Sequence, residues 1–299
     1  MKILLFGKNG QIGWELQRSL APLGDVVALD RQGANGLCGD LSDLKGLERT
    51  VREVRPDVIV NAAAYTAVDK AESEAALATC VNGLAPGVLA STAASTNALL
   101  VHYSTDYVFD GSGDRPWEEG GPTGPLSVYG RTKLEGEQAI QASGCRHLVF
   151  RTSWVYAARG GNFAKTMLRL ATERDEIKVI LDQIGAPTGA DLLADATAHA
   201  VRQCARQQAP EILGLYHLTA AGETSWFDYA RFVLNHAQGQ GKVLKVAAQQ
   251  VQAIPSSAYP TPARRPQNSR LNCERLQQAF SLTLPHWQVG VARMLDEIL

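Results

Sequence analysis

Tyr129 and Lys133, in the run Tyr129-Gly130-Arg131-Thr132-Lys133, have the types and spacing for acid–base chemistry. On a helix, positions i and i+4 share one face. A ketone that receives hydride needs a proton donor at its oxygen, and a phenol ionises at roughly pH 10. A neighbouring ammonium favours the phenolate and moves that pKa toward neutrality, where acid–base catalysis works best. Lys133 can supply that charge and can also hold a cofactor ribose. In isolation such a pair most often marks a solvated helix face, so its meaning depends on the rest of the chain. Thr105, in Ser104-Thr105-Asp106, lies 24 residues before Tyr129 at the end of an apolar run. Its hydroxyl can donate to the same oxygen; the blander reading is a strand-terminal cap.

A second group of residues suits a pyrophosphate. Gly7-Lys8-Asn9-Gly10-Gln11-Ile12-Gly13 has the spacing GxxGxxG between a first strand and a first helix. Glycines there allow a tight turn, close approach of the backbone to the anion, and close helix–strand packing. The helix N-terminus then offers unpaired N–H groups. Three glycines alone are weak evidence; an acid after the next strand strengthens them. That acid is Asp30, 17 residues after Gly13. It can accept from the adenosine ribose hydroxyls, which favours NAD. Arg31 beside it and Lys8 within the loop can attract a 2′-phosphate, which favours NADP. Both cofactors are therefore compatible with the loop. Asp40-Leu41 is expected to follow a short third strand, its acid toward the adenine amino group and its leucine against the ring. A loop acid before the next helix is the competing reading.

The elements that must position these residues are legible as periodicity. Ile3–Phe6 and Val26–Leu29 read as buried strands, and Ile12, Leu16, Leu20 and Leu23 as one helix face. Leu44, Leu47, Val51 and Val54 mark another helix, stopped before Pro56. Strands follow at 57–61, 98–103 and 147–151, with a long Ala-rich helix over 74–95 and a helix over 128–142. Continuous apolar strands separated by helices imply a parallel sheet covered on both faces, with ligands at the carboxyl ends of the strands. The motifs all fall at such ends. Residues 111–125, rich in Gly and Pro, make a long irregular loop of the kind that is usually functional. After Arg151 the rhythm loosens: helices near 162–172, 192–207 and 226–238, strands near 177–181 and 216–219, and a Pro-rich stretch over 255–266.

The expected fold is thus α/β: a Rossmann-type doubly wound parallel sheet with a smaller C-terminal α/β substrate-binding lobe. Residues 1–151 are expected to form the NAD(P)-binding domain. Residues 152–299 mainly form the lobe, with some segments returning to the sheet. The 299 residues suffice for a core without staples. A formal net charge of −1 argues against a general nucleic-acid binder. The five cysteines are scattered and odd in number, which speaks against a disulfide framework and for a reducing compartment. The N-terminal apolar run is too short for a secretion signal, and no continuous apolar stretch of roughly 18 residues appears. The expected address is the cytoplasm, with no membrane partner.

Together these residues resemble the extended branch of the short-chain dehydrogenase/reductase superfamily, and within it the subfamily that reduces 4-keto-deoxysugar nucleotides. The resemblance covers essentially the whole chain. It is carried by Gly7–Gly13, Val60–Glu72, His102–Gly111, Val128–Lys133, Arg151–Tyr156, Gly185–Thr188 and Arg264–Ser269. It implies that NADPH or NADH delivers hydride to C4 of dTDP-4-dehydro-L-rhamnose, and that Tyr129 protonates the oxygen. The product would be dTDP-L-rhamnose, a precursor of lipopolysaccharide O-antigen and other cell-surface polysaccharide. It places Gly10, Gln11, Ile12, Asp30, Asp40, Leu41, Ala64, Tyr65, Thr66, Tyr103 and Lys133 around the cofactor. It places Thr105, Asp106 and Trp154 around the sugar, where an indole offers an apolar face. Arg264 and Arg265 would suit the diphosphate by forked hydrogen bonding, against a reading as surface charges. The resemblance also implies a homodimer and, in some members, Mg²⁺. Glu15 and Asp191 are the carboxylates that would contribute, although no local cluster of hard oxygen ligands is visible.

Two other readings share these motifs. A nucleotide-sugar dehydratase or epimerase has the same fold and Tyr–Lys pair. A dehydratase commonly needs an Asp-Glu pair after the Thr, whereas here Asp106 is followed by Tyr107. A non-catalytic subunit resembling the regulatory subunit of methionine adenosyltransferase would have no need of Thr105, Tyr129 and Lys133 together.

Overall fold

The apolar runs become the strands of one sheet whose carboxyl edge carries the site. The computed structural model describes residues 1–207 and 210–299. The chain begins β1 (Lys2–Phe6), α1 (Gln11–Leu20), β2 (Asp25–Leu29), α2 (Leu44–Val54) and β3 (Val58–Asn61). Short helices α3 (Val68–Ala71) and α4 (Ala75–Thr79) follow, then a π turn over Cys80–Leu84 and α5 (Ala85–Thr96). Next come β4 (Leu99–Thr105), α6 (Val128–Ala142), β5 (His147–Thr152), β6 (Val155–Tyr156) and α7 (Phe163–Glu173). The remainder is β7 (Lys178–Ile180), β8 (Ile184–Gly185), β9 (Thr188–Gly189), α8 (Ala190–Gln207), β10 (Gly214–His217), β11 (Thr224–Ser225), α9 (Trp226–Gly239), β12 (Gln252–Ile254), α10 (Glu274–Phe280) and α11 (Trp287–Ile298).

The main sheet is parallel throughout, in the order β10-β5-β4-β3-β1-β2. Strand order reverses between β1 and β3, which is where an open α/β sheet leaves a crevice for a ligand. One face is covered by α1, α8 and α10 through Leu16, Leu20, Leu193, Val201 and Leu276. The other is covered by α2, α5 and α6 through Leu47, Val51, Leu89, Ala93 and Ile140. Alternation along β4 decides which side chains meet which layer. Leu99, Val101 and Tyr103 enter the first core and Leu100 the second. His102 and Ser104 therefore point toward α6. A separate apolar cluster joins α7, α9 and α11, with Tyr229, Val233, Trp287 and Leu295 inside it.

Three expectations are corrected. No strand precedes Asp40: Ala34 and Leu37 form an isolated bridge, and residues 38–40 are irregular. Gly33 and Gly36, both at positive φ, turn the chain there instead of extending it. The Ala-rich helix is broken in the middle by the π turn at Cys80–Leu84. Finally, Ala75–Thr96 is long and apolar enough to cross a membrane by length and composition, with a mean hydropathy of 1.3 over its best window. Counting only unbroken apolar runs missed it, because Gly, Ser and Thr interrupt the sequence. Here Ala85, Leu89, Ala90 and Ala93 are fully inaccessible against the sheet.

Candidate active site

The glycine loop closes tightly at the crevice. Gly7 has φ +87°, and a Cβ on it would lie 2.8 Å from the Ala63 backbone nitrogen at the end of β3. A Cβ on Gly13 would lie 2.0 Å from the Gly7 carbonyl oxygen, so α1 sits directly against the turn. Gly10 caps α1 with no side-chain hydrogen bond, leaving its first N–H groups available to an anion. The Gln11 Oε1 is buried beside them without a partner. Ile12 packs inward against the sheet. These features fit a dinucleotide phosphate.

Asp30 accepts from Asn9 Nδ2 at 2.9 Å and Gln32 N at 3.1 Å, with Lys8 Nζ at 3.3 Å. Burial opposes its charge, but Lys8 and these donors outweigh it and hold the carboxyl below its usual range. Arg31 Nε faces Asp40 Oδ2 at 3.2 Å. The two acids after β2 are thus each engaged by one of the two basic residues named from the sequence. Leu41 is buried in the core with Leu44 and Leu47. Ala64, Tyr65 and Thr66 follow β3, where the Tyr65 hydroxyl donates to Glu74 Oε2 at 2.6 Å.

Tyr129, Thr105 and Asp106 are brought together by helix packing. Ser127 caps α6, accepting from Gly130 N at 3.2 Å, and Glu72 accepts from Val128 N at 2.8 Å. A Cβ on Gly130 would lie 2.2 Å from the Tyr107 carbonyl oxygen. Only glycine lets the first turn of α6 approach the 106–108 turn this closely. The Tyr107 and Tyr129 rings meet edge to face at 5.5 Å. Thr105 Oγ1 donates to Asp106 Oδ1 at 3.0 Å and accepts from Tyr107 N at 3.2 Å. Asp106 Oδ2 is buried with no hydrogen-bond partner. Burial pushes the Asp106 carboxyl up to about 6 against the opposing bonds from Ser269 and Thr105.

The phenol differs from expectation. Burial pushes Tyr129 up to about 12, the neighbouring Thr105 hydroxyl opposes the rise and the Asp106 charge adds to it. Lys133 points into the sheet: its Nζ donates to the Tyr103 carbonyl at 2.5 Å and lies 3.1 Å from His102 Nε2. Tyr103 meets the site through that carbonyl; its hydroxyl turns away to Thr197 Oγ1 at 2.6 Å.

Trp154 lies just beyond β5 in the left-handed region, φ +50°. Its ring stacks on Trp226 at 3.6 Å and 13°. A Cβ on Gly185 would come within 2.8 Å of the same ring. Arg265 donates to Asp69 Oδ2 at 2.7 Å, pinning the Pro-rich stretch to α3, while Arg264 is exposed. Glu15 faces Arg18 and Asp191 faces Arg293. Among the described residues, no group of three His, Cys, Asp or Glu side chains could hold a metal ion.

Sequence reasoning missed several residues. Asn82, 1% exposed on the π turn, binds both backbone groups of Tyr65 and donates to Thr132 Oγ1 at 3.3 Å. Thr132 in turn donates to the Tyr129 carbonyl at 3.0 Å. Asn82 thereby ties the β3 loop to the helix bearing Tyr129 and Lys133. Glu137, at i+4 from Lys133, is buried and paired with Arg151 at 2.7 Å. The i, i+4, i+8 repeat of Tyr129, Lys133 and Glu137 was the available signal.

Comparison with known proteins agrees with this geometry. The family model described as the RmlD substrate binding domain matches residues 1–299. The chain belongs to this family. It is 59% identical to the dTDP-4-dehydrorhamnose reductase of Shigella flexneri, covering 100% of this chain and 98% of that protein. Among solved structures, a dTDP-4-dehydrorhamnose reductase from Clostridium acetobutylicum superposes with a TM-score of 0.90 at 34% identity, covering 100% and 99% of the two chains. A Bacillus anthracis dTDP-4-dehydrorhamnose reductase in complex with NADP gives 0.86 at 32%, covering 99% of each.

Proposed function

We propose that the chain reduces the C4 ketone of dTDP-4-dehydro-L-rhamnose to dTDP-L-rhamnose, using NADPH or NADH, for cell-surface polysaccharide synthesis. The observation that carries this reading is the meeting of Thr105, Asp106 and Tyr129 at the end of β4, with the glycine loop on the same edge of the sheet. The full-length identity with reductases of that name supports the substrate.

When bound, a reduced nicotinamide cofactor would supply the hydride to C4. The protein supplies the proton and the geometry. Tyr129 transfers its hydroxyl proton to the developing alkoxide, so carbon gains the hydride and oxygen the proton. Thr105 orients that oxygen, and Asp106 accepts from a sugar hydroxyl. Lys133 supports the cofactor ribose and the phenolate left on Tyr129. Gly7, Gly10, Gln11, Ile12, Gly13, Asp30, Arg31, Asp40 and Leu41 line the adenosine-diphosphate side; Ala64, Tyr65, Thr66 and the Tyr103 backbone lie toward the nicotinamide. The Trp154 indole packs against the deoxysugar. Residues 1–151 form the nucleotide unit and 152–299 mainly the substrate lobe of a cytoplasmic homodimer.

The test is steady-state oxidation of NADPH and of NADH with dTDP-4-dehydro-L-rhamnose. Stoichiometric oxidation with formation of dTDP-L-rhamnose is expected. Sugar turnover with no net loss of reduced cofactor would sink the reductase reading in favour of an epimerase. Light scattering, expected to give twice the chain mass, checks the dimer.

A further inference from the structure

Behind the catalytic lysine lies a buried hydrogen-bonded chain that the proposed reaction does not use. Asn61 ends β3 and His102 lies on neighbouring β4; both are 1% exposed. The two are register partners in the sheet. Asn61 Nδ2 lies 3.1 Å from His102 Nδ1, and His102 Nε2 lies 3.1 Å from Lys133 Nζ.

The direction of this chain is fixed at its far end. The backbone N–H of Ala63 donates to Asn61 Oδ1 at 3.2 Å. A backbone N–H can only donate, so that contact must be the Asn61 oxygen. The Asn61 amino group then faces His102, and Nδ1 must be the bare, accepting nitrogen. A neutral imidazole with a bare Nδ1 carries its proton on Nε2, the atom that faces Lys133. An N–H donor there matches the lone pair of a neutral amine and opposes an ammonium. Charging Lys133 therefore leaves one pair of donors facing each other somewhere between Ala63 and Nζ.

We infer that Asn61 and His102 are positioning residues that lock one imidazole tautomer behind Lys133 and thereby set the pH at which the lysine loses its charge. The inference rests on the reductase reading for its kinetic consequence, but not for the tautomer itself. The surroundings point the same way. Burial pushes Lys133 down to about 8, with Glu137 opposing from one turn along α6. Burial and then Lys133 hold the imidazole well below its usual range, so it is neutral. Of the other groups nearby, Glu137 is neutralised by Arg151 on β5 and also accepts from Ser104 on β4. Tyr129 stands one turn before Lys133 on α6, and Tyr103 offers its backbone carbonyl.

The proposal is tested first in the wild-type chain by nitrogen-15 NMR with labelled histidine, the His102 signals being assigned by their loss in H102Q. A bare Nδ1 and a protonated Nε2 are expected at neutral pH. The opposite tautomer, or an imidazolium, overturns the proposal whether or not the chain is a reductase. The second test reverses the chain. In N61D the carboxylate accepts from both Ala63 N–H and a His102 Nδ1–H, leaving Nε2 bare to accept from an ammonium. The alkaline limb of kcat/KM, expected near pH 8 in the wild type, should move up by at least about one unit. N61L, which frees the tautomer without adding charge, should move it in the same direction by less. A limb that stays in place in both variants overturns the proposal, while a wild type that oxidises no NAD(P)H overturns the reductase reading alone.

Discussion

Tyr129 and Asp106 share one environment, and the proposed reaction gives them different tasks. Asp106 is buried and Tyr129 half-buried beside Thr105, and loss of solvent favours the neutral form of each. A neutral phenol is the form that donates a proton during reduction. Tyr129→Phe keeps the ring packed edge to face against Tyr107 but removes the donor. We expect kcat to fall by about 10²–10⁴-fold, with NADPH affinity unchanged by fluorescence titration. A variant within twofold of wild type would remove Tyr129 from the mechanism. Asp106 makes a prediction about stability. Burial holds its carboxyl at about 6 in the folded chain, above the ordinary value of 3.8. The stability it contributes is therefore present below pH 3.8 and lost as the pH rises through about 6. Asp106→Asn cannot ionise. Its Tm relative to wild type should be more favourable at about pH 7.5 than at about pH 4.5, by differential scanning calorimetry, while sugar binding weakens.

At the scale of elements, the site depends on three close approaches: β1 on β3 at Gly7, α6 on the 106–108 turn at Gly130, and α6 on the π turn. A Cβ on Gly136 would lie 2.2 Å from the Asn82 carbonyl oxygen. Gly130→Ala must push the first turn of α6 off the Tyr107 backbone. We expect a loss of about 1–3 kcal/mol in urea unfolding, as for other overpacked sites, and a fall in kcat larger than any rise in KM. Unchanged stability and kcat would show that α6 is free to shift. The glycine loop, Asp30 and the Tyr–Lys pair were legible from sequence because each obeys a local rule of turn, strand end or helix face. Asn82 was not, because its partners Tyr65 and Thr132 are 17 and 50 residues away. The π turn that presents it has no composition signal in an Ala-rich run. His102 was hidden for a related reason. Alternation on a strand buried on both faces places polar and apolar residues in the same continuous run. The inward turn of Lys133 was also unreadable, since spacing fixes a helix face but not which acceptor a long side chain finds.

For the whole molecule, the α1/α8/α10 layer of the sheet and the cluster around α7, α9 and α11 meet near Trp154, with Val155 in the first and Trp154 in the second. That indole follows a sheet strand, yet its stacking partner, Trp226, begins α9. Trp226 in turn packs at a tilt of 51° against Phe163 on α7 at 4.6 Å and lies 6.1 Å from Tyr229. A side chain proposed to face the sugar is thus braced by aromatic rings of the C-terminal half, while the glycine loop is braced by the sheet. The two binding functions should separate on mutation. Trp226→Leu keeps an apolar residue but removes the stacked ring, so Trp154 gains rotamers and the sugar meets a less ordered face. We expect KM for the dTDP-sugar to rise by roughly tenfold, equivalent to about 1.4 kcal/mol. The Kd for NADPH, whose proposed site is the glycine loop, should stay within twofold. Both quantities come from one preparation, by steady-state kinetics and fluorescence titration. A parallel loss of cofactor affinity would show that the lobe and the sheet respond as one unit, and the separation argued from the aromatic stack would fail.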